Sequence, residues 1–187
     1  MTLAGPTVRA LALLALATPS LAQAPLTSHG EAKADRTGAA AGITWTVPGS
    51  WTEGQGSSMR VATYAIEGAE GAGAGECAVF YFGPGQGGGV DDNVQRWVRQ
   101  FKESPTPRRE KRTVAGVNVT VVDIEGTYLN PGGGMMQSRG EKPDYRLLGA
   151  IVEASGGNVF FKLTGPQATV AAAEAAFDGL LGSMRKK

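Results

Sequence analysis

The chain has 187 residues, 42% of them hydrophobic and 19% charged, which allows one substantial domain with extensions and excludes a large multidomain enzyme. Eighteen Lys and Arg stand against 17 Asp and Glu for a formal charge of +1. No long-range field therefore favours nucleic acid or an anionic membrane.

The amino terminus carries Arg9, the apolar run from Ala10 to Ala17, a Thr18-Pro19 break and small residues up to Ala22. A basic region, an apolar stretch and small residues at the cleavage point are the requirements of a secretory signal peptide, and they predict removal of residues 1–22. Cleavage after Ala22 keeps Pro25 away from the first mature position. Arg9 is the only charge removed, so the mature chain is formally neutral. The apolar run is about half the length that spans a bilayer, and no second segment is longer. The expectation is an exported chain, periplasmic or secreted, with no integral membrane segment after signal removal.

Residues 23–42 are rich in Ala, Gly, Ser, Thr and charge, with Leu26 as their one large aliphatic. They offer little apolar area to offset the entropy of ordering, which predicts a flexible leader. A single domain is expected over 43–184, followed by a basic tail at 185–187 that complements the carboxyl end of the preceding helix.

Ile43–Val47 alternates before a Pro48-Gly49 break, predicting a short edge strand and a turn anchored by Trp45 and Trp51. A second strand is expected over Ser58–Ala65, then a glycine-rich loop to Glu76 and a third strand over Cys77–Phe82. Cys77, the sole cysteine, precludes an intrachain disulfide and reads as a small buried hydrophobe. The glycines of 83–89 lead to Asp91 and Asp92, either of which can cap a helix. In that helix Val94, Trp97, Val98 and Phe101 fall at i, i+3, i+4 and i+7. Ser104-Pro105-Thr106-Pro107 ends it.

Glu110–Val114 and Val117–Tyr128 predict a hairpin about Ala115-Gly116. In its longer arm Val117, Val119 and Val121 share one face while Val122 and Ile124 share the other, as in an interior strand covered on both sides. Two more strands, Tyr145–Glu153 and Val159–Thr164, flank a turn at 154–158, and Val170, Ala173, Phe177, Leu180, Leu181 and Met184 mark a closing helix. The order gives an α+β fold: a mainly antiparallel sheet of five or six strands with two principal helices packed on it.

No catalytic constellation emerges. His29, the only histidine, lies in the leader, which removes a histidine triad from the domain and leaves no His/Cys zinc set. The 83–89 glycines lack the Lys-Ser/Thr of a phosphate loop and precede carboxylates. Asp91, Asp92 and Asp123 have no calcium-loop spacing. No metal or other cofactor is expected. Arg108–Arg112 is the only dense basic cluster and reads as a solvated turn, so no nucleic-acid partner is expected.

The leading expectation is a non-enzymatic binding or accessory protein with an unknown protein or envelope ligand. The alternative is a small hydrolase using a carboxylate such as Asp123, paired with Glu125, or Cys77. The long segment 129–144 holds the candidate binding residues: Met135 and Met136 adapt to an apolar surface, Arg139 and Lys142 give polar registration, and Tyr128 and Tyr145 bracket it with amphipathic rings.

Residues 45–51, 58–60, 80–83, 93–101, 145–150 and 160–166 together resemble a family of small exported bacterial proteins without an assigned activity. More distantly, the opening Trp/Pro/Trp element and the element order resemble the fold shared by photosystem II extrinsic PsbP proteins and a Ran-binding nuclear import factor. That resemblance implies an antiparallel sheet with helices on its faces, used mostly for binding or accessory roles. It brings no catalytic residues.

Overall fold

The computed structural model describes residues 1–2, 36–57, 59–69, 71–129 and 140–187. The elements below lie within a unit spanning residues 33–187. Residues 3–22 of the predicted signal and 23–35 of the leader, His29 included, lie outside the described residues.

Among the described residues ten strands and two helices follow in order: β1 (Arg36–Ala40), β2 (Ile43–Val47), β3 (Thr52–Glu53), β4 (Ala62–Ile66), β5 (Gly75–Tyr81), α1 (Val90–Val98), β6 (Arg108–Val114), β7 (Val117–Tyr128), β8 (Lys142–Ala154), β9 (Gly157–Pro166), α2 (Gln167–Gly182) and β10 (Arg185–Lys186). Seven strands form an antiparallel sheet in the order β3-β4-β5-β9-β8-β7-β6. A smaller antiparallel sheet runs β1-β2-β10. The fold is α+β with a mainly antiparallel sheet and two principal helices packed on it.

Alternation along the strands sends side chains to two separate cores. On one face Val79, Val119, Val121, Leu148, Phe161 and Leu163 meet Val170, Phe177, Leu180 and Leu181 of α2. Each such aliphatic or aromatic side chain contributes roughly 1.5–3 kcal/mol by burial. Ile43, Trp45 and Val47 join this core. The Trp45 ring stands edge-on to Phe161 at 5.0 Å and its Nε1 donates to the Tyr64 hydroxyl at 3.0 Å.

On the other face Val94, Trp97, Val98 and Phe101 cover Val122, Ile124, Leu147, Ile151 and Phe160. Gly149 makes room for this packing, since a Cβ there would sit 2.3 Å from the Trp97 ring. β7 is thus an interior strand with Val119 and Val121 in one core and Val122 and Ile124 in the other.

Several expectations need correction. Arg36–Ala40, placed in the leader by composition, is a strand paired with β2. β2 is the middle strand of the small sheet, since β10 from the basic tail pairs with its other edge. Arg185 also donates to the Gly182 carbonyl at 3.2 Å, at the end of α2. The helix α1 stops at Val98 and has Gly89 at its N-cap without a side-chain cap. Asp91 and Asp92 occupy its first turn, while the Asn93 amide donates to the Gly87 and Gly89 carbonyls, both at 2.8 Å. The basic cluster is the edge strand β6 rather than a turn. Its arginines are paired: Arg108 with Asp123, Arg109 with Asp91 at 2.6 Å, and Arg112 with Asp178 at 2.8 Å. Charges of this kind on an edge strand oppose strand addition by another chain.

Candidate functional site

The nine residues of α1 cover only part of their face of the large sheet. Toward β5, that face carries Glu76, Ala78 and Phe80 opposite Thr164, Lys162 and Phe160 of β9. The small side chain of Ala78 beside Lys162 leaves the sheet surface unfilled, and a cavity of about 330 Å³ opens there. Its walls include Arg60, Phe80, Tyr128, Lys142, Tyr145 and Lys162.

Strand alternation aims Lys162 away from the α2 core, between Phe161 and Leu163, which are both fully buried in that core. Its Nζ donates to the Tyr128 hydroxyl at 3.1 Å and lies 5.4 Å from that ring's centre. Burial, and then the Arg60 guanidinium, push the Lys162 ammonium down to about 8 against a partial opposing pull from Glu76. The Tyr128 hydroxyl donates to Gln100 Oε1 at 3.4 Å. Its ring is held edge-on by Phe101 at 5.4 Å and stacked on Tyr145 at 5.8 Å. Burial, with Glu76 and Tyr145 acting in the same direction, pushes the phenol up to about 12, so it stays protonated at neutral pH.

Lys142 donates to the Tyr145 hydroxyl at 3.3 Å with its ammonium 5.0 Å from the ring centre. Arg60 pairs with Glu76 at 2.8 Å and lies over Phe80 at 5.6 Å. Glu76 is the one carboxylate in the lining and it faces Arg60. Among the described residues Lys162 and Lys142 have no carboxylate within 4.0 Å, so the lining keeps two ammonium groups whose neighbours are phenols.

Of the residues singled out from sequence, Tyr128, Lys142 and Tyr145 come together in this wall. Met135, Met136 and Arg139 lie outside the described residues. Arg60, Glu76, Phe80 and Lys162 join the site without having been expected there. The available signal was a lone cation at an alternate position in the apolar run Phe160-Phe161-Lys162-Leu163.

The residues considered for hydrolysis lie elsewhere. Cys77 is fully buried in the α2 core, where burial, and secondarily Glu76, push its thiol up and keep it protonated. Asp123 is buried on the α2 face and accepts from Arg146 Nε and Nη2 at 2.8 and 2.9 Å, with Arg108 also paired to it. Arg146 reaches Glu174 of α2 at 2.8 Å and Glu125 at 3.5 Å. This network ties the helix to the sheet. Among the described residues no cluster of three or more His, Cys, Asp or Glu is placed to hold a metal ion, and no helix is long and apolar enough to cross a membrane.

No family model and no curated protein matches the sequence. The likeness is to solved structures. Cyanobacterial PsbP from Synechocystis sp. PCC 6803 superposes with a TM-score of 0.52 at 12% identity, over 88% of this chain and all of that one. The chain shares the PsbP-like fold. A Pseudomonas aeruginosa protein of unknown function described as a putative regulator matches with a TM-score of 0.45 at 14% identity, over 80% of this chain and 94% of that one. At such identities the likeness concerns fold alone, and the site has to be argued from its own residues.

Proposed function

We propose that this is an exported, non-enzymatic binding protein that takes a small organic anion into the Lys162 cavity. One observation carries the reading: the ammonium groups of two half-buried lysines, Lys162 and Lys142, line a cavity whose single carboxylate is paired with Arg60. An unpaired charge removed from water is costly unless a counter-charge meets it. An incoming carboxylate supplies that charge, and the Tyr145 hydroxyl, which accepts from Lys142, supplies a further hydrogen bond. Export is supported by the basic, apolar and small-residue order of residues 9–22, and the accessory role by the likeness to the PsbP fold.

The test is a pair of probes differing only in charge. Benzoate is titrated against benzamide on the purified chain by amide-proton NMR. Benzoate is expected to shift the amides around Lys162, Tyr128 and Tyr145, benzamide to leave them in place, and Lys162→Met to weaken benzoate by about tenfold, the worth of one charge-assisted hydrogen bond. Equal responses to the two probes overturn the reading.

A further inference from the structure

The cavity opens onto an apolar rim. Phe80 lines it, and the Phe82 ring lies 6.2 Å from Phe80 in a nearly parallel stack while remaining 42% exposed. Val61, 46% exposed, donates its N–H to the Val79 carbonyl at 2.9 Å, one residue out of the β4–β5 register, so that it shares Val79 with Ala62 as in a β-bulge. Among the described residues the exposed large hydrophobics are Met1, Met59, Val61 and Phe82. The last three flank cavity-lining residues in the chain, with Met59 and Val61 on either side of Arg60 and Phe82 two residues beyond Phe80. Single exposed apolar residues are ordinary, but an exposed ring stacked on a ring of a cationic cavity's wall continues that wall outward as apolar surface.

We infer that the ligand is a monomeric anionic amphiphile, a medium- to long-chain carboxylate, with its head at Lys162 and Lys142 and its hydrocarbon chain running past Phe80 to Phe82. This rests on the anion-binding reading above and adds the tail. Charge complementarity fixes the head, since among the described residues no carboxylate pairs with the two ammonium groups. The continuity of Phe80 with Phe82 fixes the direction of the tail. Lys162 sits beside Ala78 on β5, and the four residues from there to Phe82 extend about 13 Å, a path that a chain of about ten carbons fills. Glu76 lies two residues from Ala78 on the side away from Phe80, and Arg60, over the Phe80 ring, reaches across to pair with it, so that the two charges offset one another.

The experiment is a chain-length series, butyrate to decanoate below micelle-forming concentration, titrated by calorimetry and amide-proton NMR on the purified chain. A methylene laid on a half-open apolar surface adds about twofold in affinity, so decanoate is expected to bind at least about tenfold more tightly than hexanoate. Its shifts should extend from Lys162 to Phe82. In Phe82→Ser the gain from hexanoate to decanoate is lost while hexanoate affinity stays. A flat series on the unaltered chain overturns the amphiphile and leaves anion binding standing, and this outcome does not depend on how the variant folds. No binding of any acid overturns both. Phe82-dependent sedimentation with phosphatidylglycerol vesicles without binding of monomeric decanoate overturns it in favour of a membrane surface.

Discussion

Replacing Lys162 with methionine keeps most of the side-chain volume and removes the ammonium, and the fold should gain stability at neutral pH. Burial holds this amine at about 8 against an unperturbed 10.5, a difference equivalent to about 3 kcal/mol. The head is only partly enclosed and keeps some hydration, and the variant loses the bond to Tyr128, so the expected gain at pH 7 is about 1–3 kcal/mol. Because the folded-state value is depressed, the cost is fully present below about pH 8, where Lys162 is charged in both states. Between 8 and 10.5 the unfolded chain binds more protons at this position than the folded chain does, so stability rises with pH and the cost fades.

The difference between variant and parent should therefore shrink by roughly half between pH 7 and pH 9.5. Tyr128, pushed up to about 12, stays protonated in the folded chain over that interval. Urea unfolding followed by tryptophan fluorescence at pH 6, 7, 8.5 and 9.5 reads both quantities. A variant no more stable than the parent at pH 6–7, or a difference that does not change with pH, refutes the argument that Lys162 is held at a cost to folding.

Two further outcomes concern the other face of the sheet. Arg146→Met leaves the buried Asp123 carboxylate with Arg108 alone and should destabilise the fold by about 3 kcal/mol, with much of the loss recovered in the double variant carrying Asp123→Asn; urea midpoints of the three proteins check this. Cys77, buried in the α2 core with its thiol pushed up, should resist Ellman's reagent in the native state and react at once in denaturant. Stoichiometric labelling of the native chain would contradict the packing described.

The two helices and the long strands are legible in the sequence because their periodicities are strong: the stripe Val94, Trp97, Val98 and Phe101 does enter one core, and the two-faced run Val117–Ile124 does divide between both. The elements that are not legible there are held by features that periodicity does not register. β1 reads Arg-Thr-Gly-Ala-Ala, without a large apolar residue. Its place comes from backbone pairing with β2 and from Gly38, where a Cβ would sit 2.2 Å from the Trp45 ring. β10 is two exposed basic residues whose pairing depends on α2 ending beside β2.

The site shows the same division between local and non-local information. Tyr128, Lys142 and Tyr145 stand out in the sequence because they bound a long glycine-rich segment, and the sheet brings them together because β7 and β8 are antiparallel neighbours with Gly126 opposite Tyr145 and Tyr128 opposite Lys142. Lys162 belongs to a strand that is otherwise a hydrophobic run, and sequence alone gives such a lysine no destination. Its destination depends on the length of α1: the helix covers Ile151 and Phe160 and stops before Lys162 and Ala78. A lysine uncovered by the helix on one side, and facing alanine rather than a carboxylate across the strand pair, is left with phenols for neighbours. The cavity's positive character thus arises from what α1 leaves bare, a property of the packed layers that no single segment of the chain encodes.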